Sequence, residues 1–137
     1  MSDRIADMYR RWLGELWQGD LPVIEELCAP GLLSHWAGEE VQGRDAAAAR
    51  IARTFTLFDD VSTELIAGPV VDGGTVAAHW SFFGAYRGGL PGTTAAPGTK
   101  VAFTGTDILR AEDGRFVEYW VVSDVLGMMT RLGAAFA

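Results

Sequence analysis

With 137 residues, 49% of them hydrophobic and 21% charged, the chain has the composition of a globular domain that buries a core without disulfide or metal staples. A net charge of −7 and the lack of any basic cluster argue against a phosphate backbone or an anionic membrane surface as partner. No run approaches the ~20 apolar residues of a membrane span, and Met1-Ser2-Asp3-Arg4 does not open a signal peptide; a cytoplasmic protein is expected, with residues 1–137 as one domain.

The first segment reads as a strong helix. Ile5, Met8, Tyr9, Trp12, Leu13, Leu16 and Trp17 recur at the spacing of one buried stripe, with Ser2 placed to cap it and Gly19 to end it. A shorter helix follows Asp20, with Pro22 in its first turn and Ile24, Leu27 and Cys28 facing inward, and stops before Pro30-Gly31. Cys28 is the single cysteine and has no basic neighbour to favour a thiolate, so it reads as a buried structural thiol. A loop from Leu32 to Gly38 leads to a third helix over Arg44–Phe58.

After Asp59-Asp60 the pattern changes to alternation. Strands are expected at Val61–Ala67, ending at Gly68-Pro69, then at Thr75–Arg87 after the turn Asp72-Gly73-Gly74. Gly88–Thr99 is too rich in Gly and Pro for anything but an irregular loop. Lys100–Ala111 and Arg115–Asp124 form a hairpin about Asp113-Gly114, and a helical tail covers Val125–Phe136. Helices first and a meander of long strands afterwards make an α+β domain, a curved antiparallel sheet closed by three helices into a cone around an apolar pocket.

Alternation sorts the side chains. In the last strand Phe116, Glu118, Trp120, Val122 and Asp124 form the set expected to face the pocket. Val117, Tyr119 and Val121, with His79 and Phe83, form an outer apolar face that a second copy would cover, giving a homodimer or higher homo-oligomer. Trp80, Phe82, Gly84 and Tyr86 share one parity, as do Phe103, Gly105, Asp107 and Leu109. Buried carboxylates are costly unless partnered. Glu118 is expected to pair with Arg110 or Arg53; Asp107 is open to a structural or a chemical role; Asp124, at a strand end, reads as chemical.

The motifs of nucleotide binding, nucleophilic serine catalysis and zinc proteolysis are absent from the sequence, and the two histidines lie far apart, so neither metal nor cofactor is expected. What remains is carboxylate acid–base chemistry in an apolar pocket, where desolvation raises an Asp pKa into a useful range.

The stretch from Phe103-Thr104-Gly105-Thr106-Asp107 to Val122-Ser123-Asp124, with the tail Leu126-Gly127-Met128-Met129 to Leu132-Gly133, closely resembles the closing strands of SnoaL-like polyketide cyclases. Leu33-Ser34-His35 is similar to their helix-to-loop histidine, and Phe58-Asp59-Asp60 to their Phe-Pro-Asp, with Asp59 in place of Pro. Gly84-Ala85-Tyr86-Arg87-Gly88 stands where many relatives have Gly-Thr-His-Thr-Gly, so Tyr86 replaces a His; Pro97-Gly98-Thr99-Lys100 keeps the end of the usual loop. The resemblance implies a nuclear-transport-factor-2-like fold, shared with ketosteroid isomerase, scytalone dehydratase and limonene epoxide hydrolase. It also implies ring closure by intramolecular aldol condensation without metal or organic cofactor, with Asp124, by motif position, as acid/base.

The substrate expected is then a small, apolar, polyketide-like, carbonyl-rich molecule. His35, Tyr86 or a protonated Asp107 could hydrogen-bond the oxygen that gains charge. Trp36, Trp80, Phe82, Phe103 and Trp120 would supply flat walls. Two alternatives remain: an epoxide hydrolase or dehydratase using Asp107 and Asp124 as a pair, and a module that only binds a small ligand.

Overall fold

The amphipathic stripe of the first segment folds as expected. In a computed structural model, which describes residues 2–135, α1 spans Ser2–Gly14 and continues into a 3-10 turn at Leu16–Gln18 closed by Gly19. Ile5, Met8, Tyr9, Trp12, Leu13 and Leu16 are all buried along it. The expected capping side chain of Ser2 and the tail residue Phe136 lie outside the described residues.

Then come α2 (Val23–Leu27), β1 (Cys28–Trp36), β2 (Glu39–Gln42), α3 (Arg44–Ala52) and α4 (Thr54–Leu57). β3 (Phe58–Asp72), β4 (Thr75–Tyr86), β5 (Lys100–Glu112), β6 (Arg115–Ser123) and α5 (Val125–Arg131) complete the chain. One six-stranded sheet runs β2-β1-β6-β5-β4-β3. β1 lies parallel to β6, and every other neighbouring pair is antiparallel.

The α+β class holds; Cys28, expected on the second helix, begins β1, and three larger differences from the expectations follow. The loop expected at Leu32–Gly38 is largely strand: β1 docks on β6 and turns back through β2. The long third helix is divided at Arg53, so that Phe58 begins β3. β3 also runs through Gly68-Pro69, which it accommodates with register shifts on the sheet edge, where a missing N–H breaks no inner ladder.

A fourth difference decides the site. Arg110 of β5 pairs with Glu118 and Ala111 with Phe116, so Val117 is an extra residue in β6. Such a bulge reverses the parity of every residue beyond it. Phe116 faces the core as expected, but past the bulge Tyr119, Val121 and Ser123 face inward. Glu118, Trp120 and Val122 are turned outward, and Val122 is 74% exposed. The outer face is therefore built from Val122, Trp120 and Ile108, not from Tyr119 and Val121.

Candidate active site

The helices and the inner sheet face enclose a cavity of about 540 Å³, a size suited to a small organic ligand. Its wall is mainly apolar. Trp80 and Phe82 of β4 and Phe103 of β5 line it, with Trp36 from the end of β1 and Met128 and Met129 from α5. Phe82 and Phe103 stack at 4.7 Å, and Trp80 meets Phe103 edge-on. Trp36 is held by its indole N–H, which donates to Ser34 Oγ at 3.0 Å.

Asp107 lies on this wall with only 1% of its surface exposed. The Tyr9 phenol donates to its Oδ2 at 3.0 Å and the Tyr119 phenol to its Oδ1 at 2.9 Å. Burial pushes the Asp107 carboxyl up to about 6, while Trp80, Tyr119 and Tyr9 hold it down from a higher value. Burial, and then the Asp107 charge, raise both phenols well above the ordinary tyrosine range, so they remain donors. The Trp80 N–H lies near enough to favour the charged carboxylate, yet it meets no acceptor in hydrogen-bond geometry. It is a buried donor behind the cavity wall, turned toward Asp107 and closed off from the cavity itself.

Gly105 creates the room for that indole. A Cβ at Gly105 would enter the Trp80 ring and lie 2.9 Å from the Val122 carbonyl oxygen.

Of the expected site residues, Asp107, Trp36, Trp80, Phe82 and Phe103 share the cavity. Four others lie elsewhere. Asp124 is exposed and caps α5, accepting from the Gly127 N–H at 2.8 Å, so its surroundings are not an apolar pocket. His35 is on the outer face, between Glu118 Oε2 at 2.7 Å and Glu40 Oε1 at 3.2 Å. Trp120 stacks on His35 there, with ring centroids 5.2 Å apart. Tyr86 is buried, but its hydroxyl is used within the protein: it accepts from the Leu90 N–H at 2.8 Å and bonds Thr93 Oγ1 at 2.7 Å, pinning the 88–99 loop.

Glu118 has the expected partner, Arg110 Nη2 at 3.1 Å. The His35 hydrogen bond, ahead of Arg110, lowers its pKa. Cys28 is buried, and burial pushes its thiol up to about 12, which suits the structural reading. Among the described residues no group of three or more His, Cys, Asp or Glu side chains gathers to hold a metal ion, and no helix is long and apolar enough to cross a membrane.

Tyr9, Tyr119, Arg50, Arg53 and Ser123 also belong to the site and were not anticipated as such. Tyr9 carried a signal: a phenol on an otherwise apolar buried helix stripe needs a partner for its hydroxyl. Tyr119 was hidden by the β6 bulge.

The family model of SnoaL-like polyketide cyclases matches residues 6–132. The chain belongs to the SnoaL-like polyketide cyclase family. That membership supports a cyclase-type function. Solved structures share the family's nuclear-transport-factor-2-like fold. A protein described as a SnoaL-like polyketide cyclase from Jannaschia sp. CCS1 is 24% identical with a TM-score of 0.85, over 98% of this chain and 95% of that one. TsrD from Streptomyces laurentii is 24% identical with a TM-score of 0.82, over 98% of both chains. An LEH-like epoxide hydrolase of M. tuberculosis is 15% identical with a TM-score of 0.72, over 96% of this chain and 90% of that one. No curated protein matches the chain.

Proposed function

We propose that this member of the SnoaL-like family, acting as one domain, is a cyclase that performs intramolecular aldol chemistry on an apolar, carbonyl-rich, polyketide-like substrate, with Asp107 as the acid/base. The observation that carries the reading is a buried carboxylate on an aromatic cavity wall, held by two phenols and raised to about 6. Near neutral pH such a group is mostly ionised and close to the ideal strength of a general base.

In this reading the Asp107 carboxylate takes a proton from the carbon next to a substrate carbonyl. The electron pair left on that carbon is shared with the carbonyl oxygen, which gains charge. The enolate carbon attacks a second carbonyl of the same molecule, forming the ring C–C bond. Asp107 then returns its proton to the new alkoxide, and both atoms and charge balance. The aromatic walls hold the substrate flat so that its ends meet. A hydrolase built on Asp107 and Asp124 has less support, because only Asp107 lines the cavity.

A homodimer remains part of the proposal, formed through the outer face of Val122, Ile108 and Trp120. Light scattering at micromolar concentration that found only monomer would end it.

The test of the activity is a comparison of Asp107→Asn with the native protein on a fused-ring aromatic β-keto ester whose side chain can close. Positioned acid–base groups contribute ~10²–10⁴-fold, and a loss of that order is expected with the fold intact. A variant that closes the ring at the native rate would remove Asp107 from the mechanism.

A further inference from the structure

We infer that Arg50 and Arg53 form an anion-binding subsite at the solvent side of the cavity, and that the ligand is an apolar ring system bearing a carboxylate at the end remote from Asp107. The inference rests on the cavity being the reaction site and names the class of molecule it takes.

The charged side chains on the cavity wall are Arg50, Arg53 and Asp107. They lie at different depths: the Asp107 residue is 1% exposed, whereas the side chains of Arg50 and Arg53 are 30% and 63% exposed. Both arginines come from the junction of α3 and α4. The cavity thus runs from a cationic, hydrated end across aromatic walls to a buried acid.

The two guanidinium groups share one carboxylate. Glu39 Oε1 is 2.9 Å from Arg50 Nε and 3.8 Å from Arg53 Nη2, and Glu39 is not part of the cavity wall. At Arg11 and Arg110 the ratio is reversed: Arg11 has both Glu15 and Glu26, and Arg110 has both Glu112 and Glu118. On a chain of net charge −7, this end of the cavity is a local excess of positive charge.

Arg50 is also oriented. Its guanidinium lies over the Trp36 ring, 4.7 Å from the centroid, and Trp36 is itself fixed by Ser34. The Trp36 contact fixes the position of the guanidinium, and its bond to Glu39 uses Nε, which leaves the terminal amino groups to donate. Planar, forked donors of this kind match a carboxylate. One excess positive charge calls for one negative charge. A phosphate dianion would exceed it, and a second anion at the deep end would be repelled by Asp107.

The probes are anthraquinone-2-carboxylate and its methyl ester, followed by quenching of Trp17, Trp36 and Trp80, which line the cavity. In low salt the native protein is expected to bind the acid about tenfold more tightly than the ester, a charge-assisted gain discounted for partial exposure. The gap should close in Arg50→Gln/Arg53→Gln and narrow with salt, while ester binding stays within about twofold, which also shows that the variant's cavity is intact. Equal affinities in the native protein, or a preference for the acid that survives in the double variant, would overturn the inference and leave the role of Asp107 standing. An Asp107→Asn protein with full activity and an unchanged acid preference would do the reverse. If neither probe binds the native protein, the inference falls as well.

Discussion

The Tyr9 phenol and the Asp107 carboxylate, 98 positions apart in the chain, meet in the protein interior at 3.0 Å. The bond ties α1 to the middle of β5, and Tyr119 makes the matching bond from β6. Two donors on one carboxylate favour its charged form, against a burial that favours the neutral one.

The first prediction follows from that balance. Removing one donor in Tyr9→Phe should raise the Asp107 pKa further, because burial is then less opposed. A base must be ionised, so the native rate should rise with pH through about 6, and the variant's rise should come at higher pH. Activity at pH 7 should drop severalfold and recover toward pH 8. An acid limb that does not move would show that Asp107 is not the titrating group.

Asp107 should also govern stability against pH. Its folded pKa is about 6 against an ordinary 3.8, so the folded state holds the proton more tightly. The resulting stabilisation is complete below the unfolded pKa and is lost as pH rises through about 6. A shift of this size corresponds to about 3 kcal/mol at most. Urea unfolding of the native protein and Asp107→Asn at pH 4 and pH 8 should show the variant gaining on the native protein by up to that amount. Parallel pH curves would contradict it.

Asp124 offers a sharp comparison between two substitutions. As a helix cap, it should be replaceable by Asn, which caps about as well, whereas Ala costs ~1 kcal/mol. The helix it caps carries Met128 and Met129 on the cavity wall. Asp124→Asn should therefore retain activity within about twofold, and Asp124→Ala should mainly raise KM. A loss of ~10²-fold in Asp124→Asn would restore it as the acid/base.

Trp80→Phe keeps most of the ring and removes the N–H. Because that N–H favours the charged Asp107 carboxylate, its loss should raise the Asp107 pKa and move the rise of rate with pH to higher pH. Gly105→Ala, which drives a methyl group into the same indole, should cost ~1–3 kcal/mol of stability besides. An acid limb that stays in place in Trp80→Phe would discard the donor.

Much of this was legible in the amino-acid sequence. The α1 stripe and the alternation in β4 and β5 follow from local spacing, and Asp107 stood out as an acid among apolar neighbours. β1 was not legible: it contains Pro30-Gly31, which reads as a stop, and its pairing with β6 joins opposite ends of the chain. The parity of β6 turned on one inserted residue, Val117, which alternation alone does not reveal. That single step exchanged Trp120 for Tyr119 on the inner face. At Asp124 two meanings coincide, since an acid at a strand end before an apolar helical run is equally a cap.

The carboxylate and its nearest donors are held by α1 and the central strands, whereas the cationic wall and the closing methionines come from the short α3, α4 and α5. If Asp107 is the acid/base and the two arginines bind an anion, reactivity and selectivity are carried by separable parts of the chain. Substitutions at Arg50, Arg53, Met128 and Met129 can retune which molecules enter while the proton-transfer apparatus stays in register, so directed evolution toward new substrates should begin with those four positions.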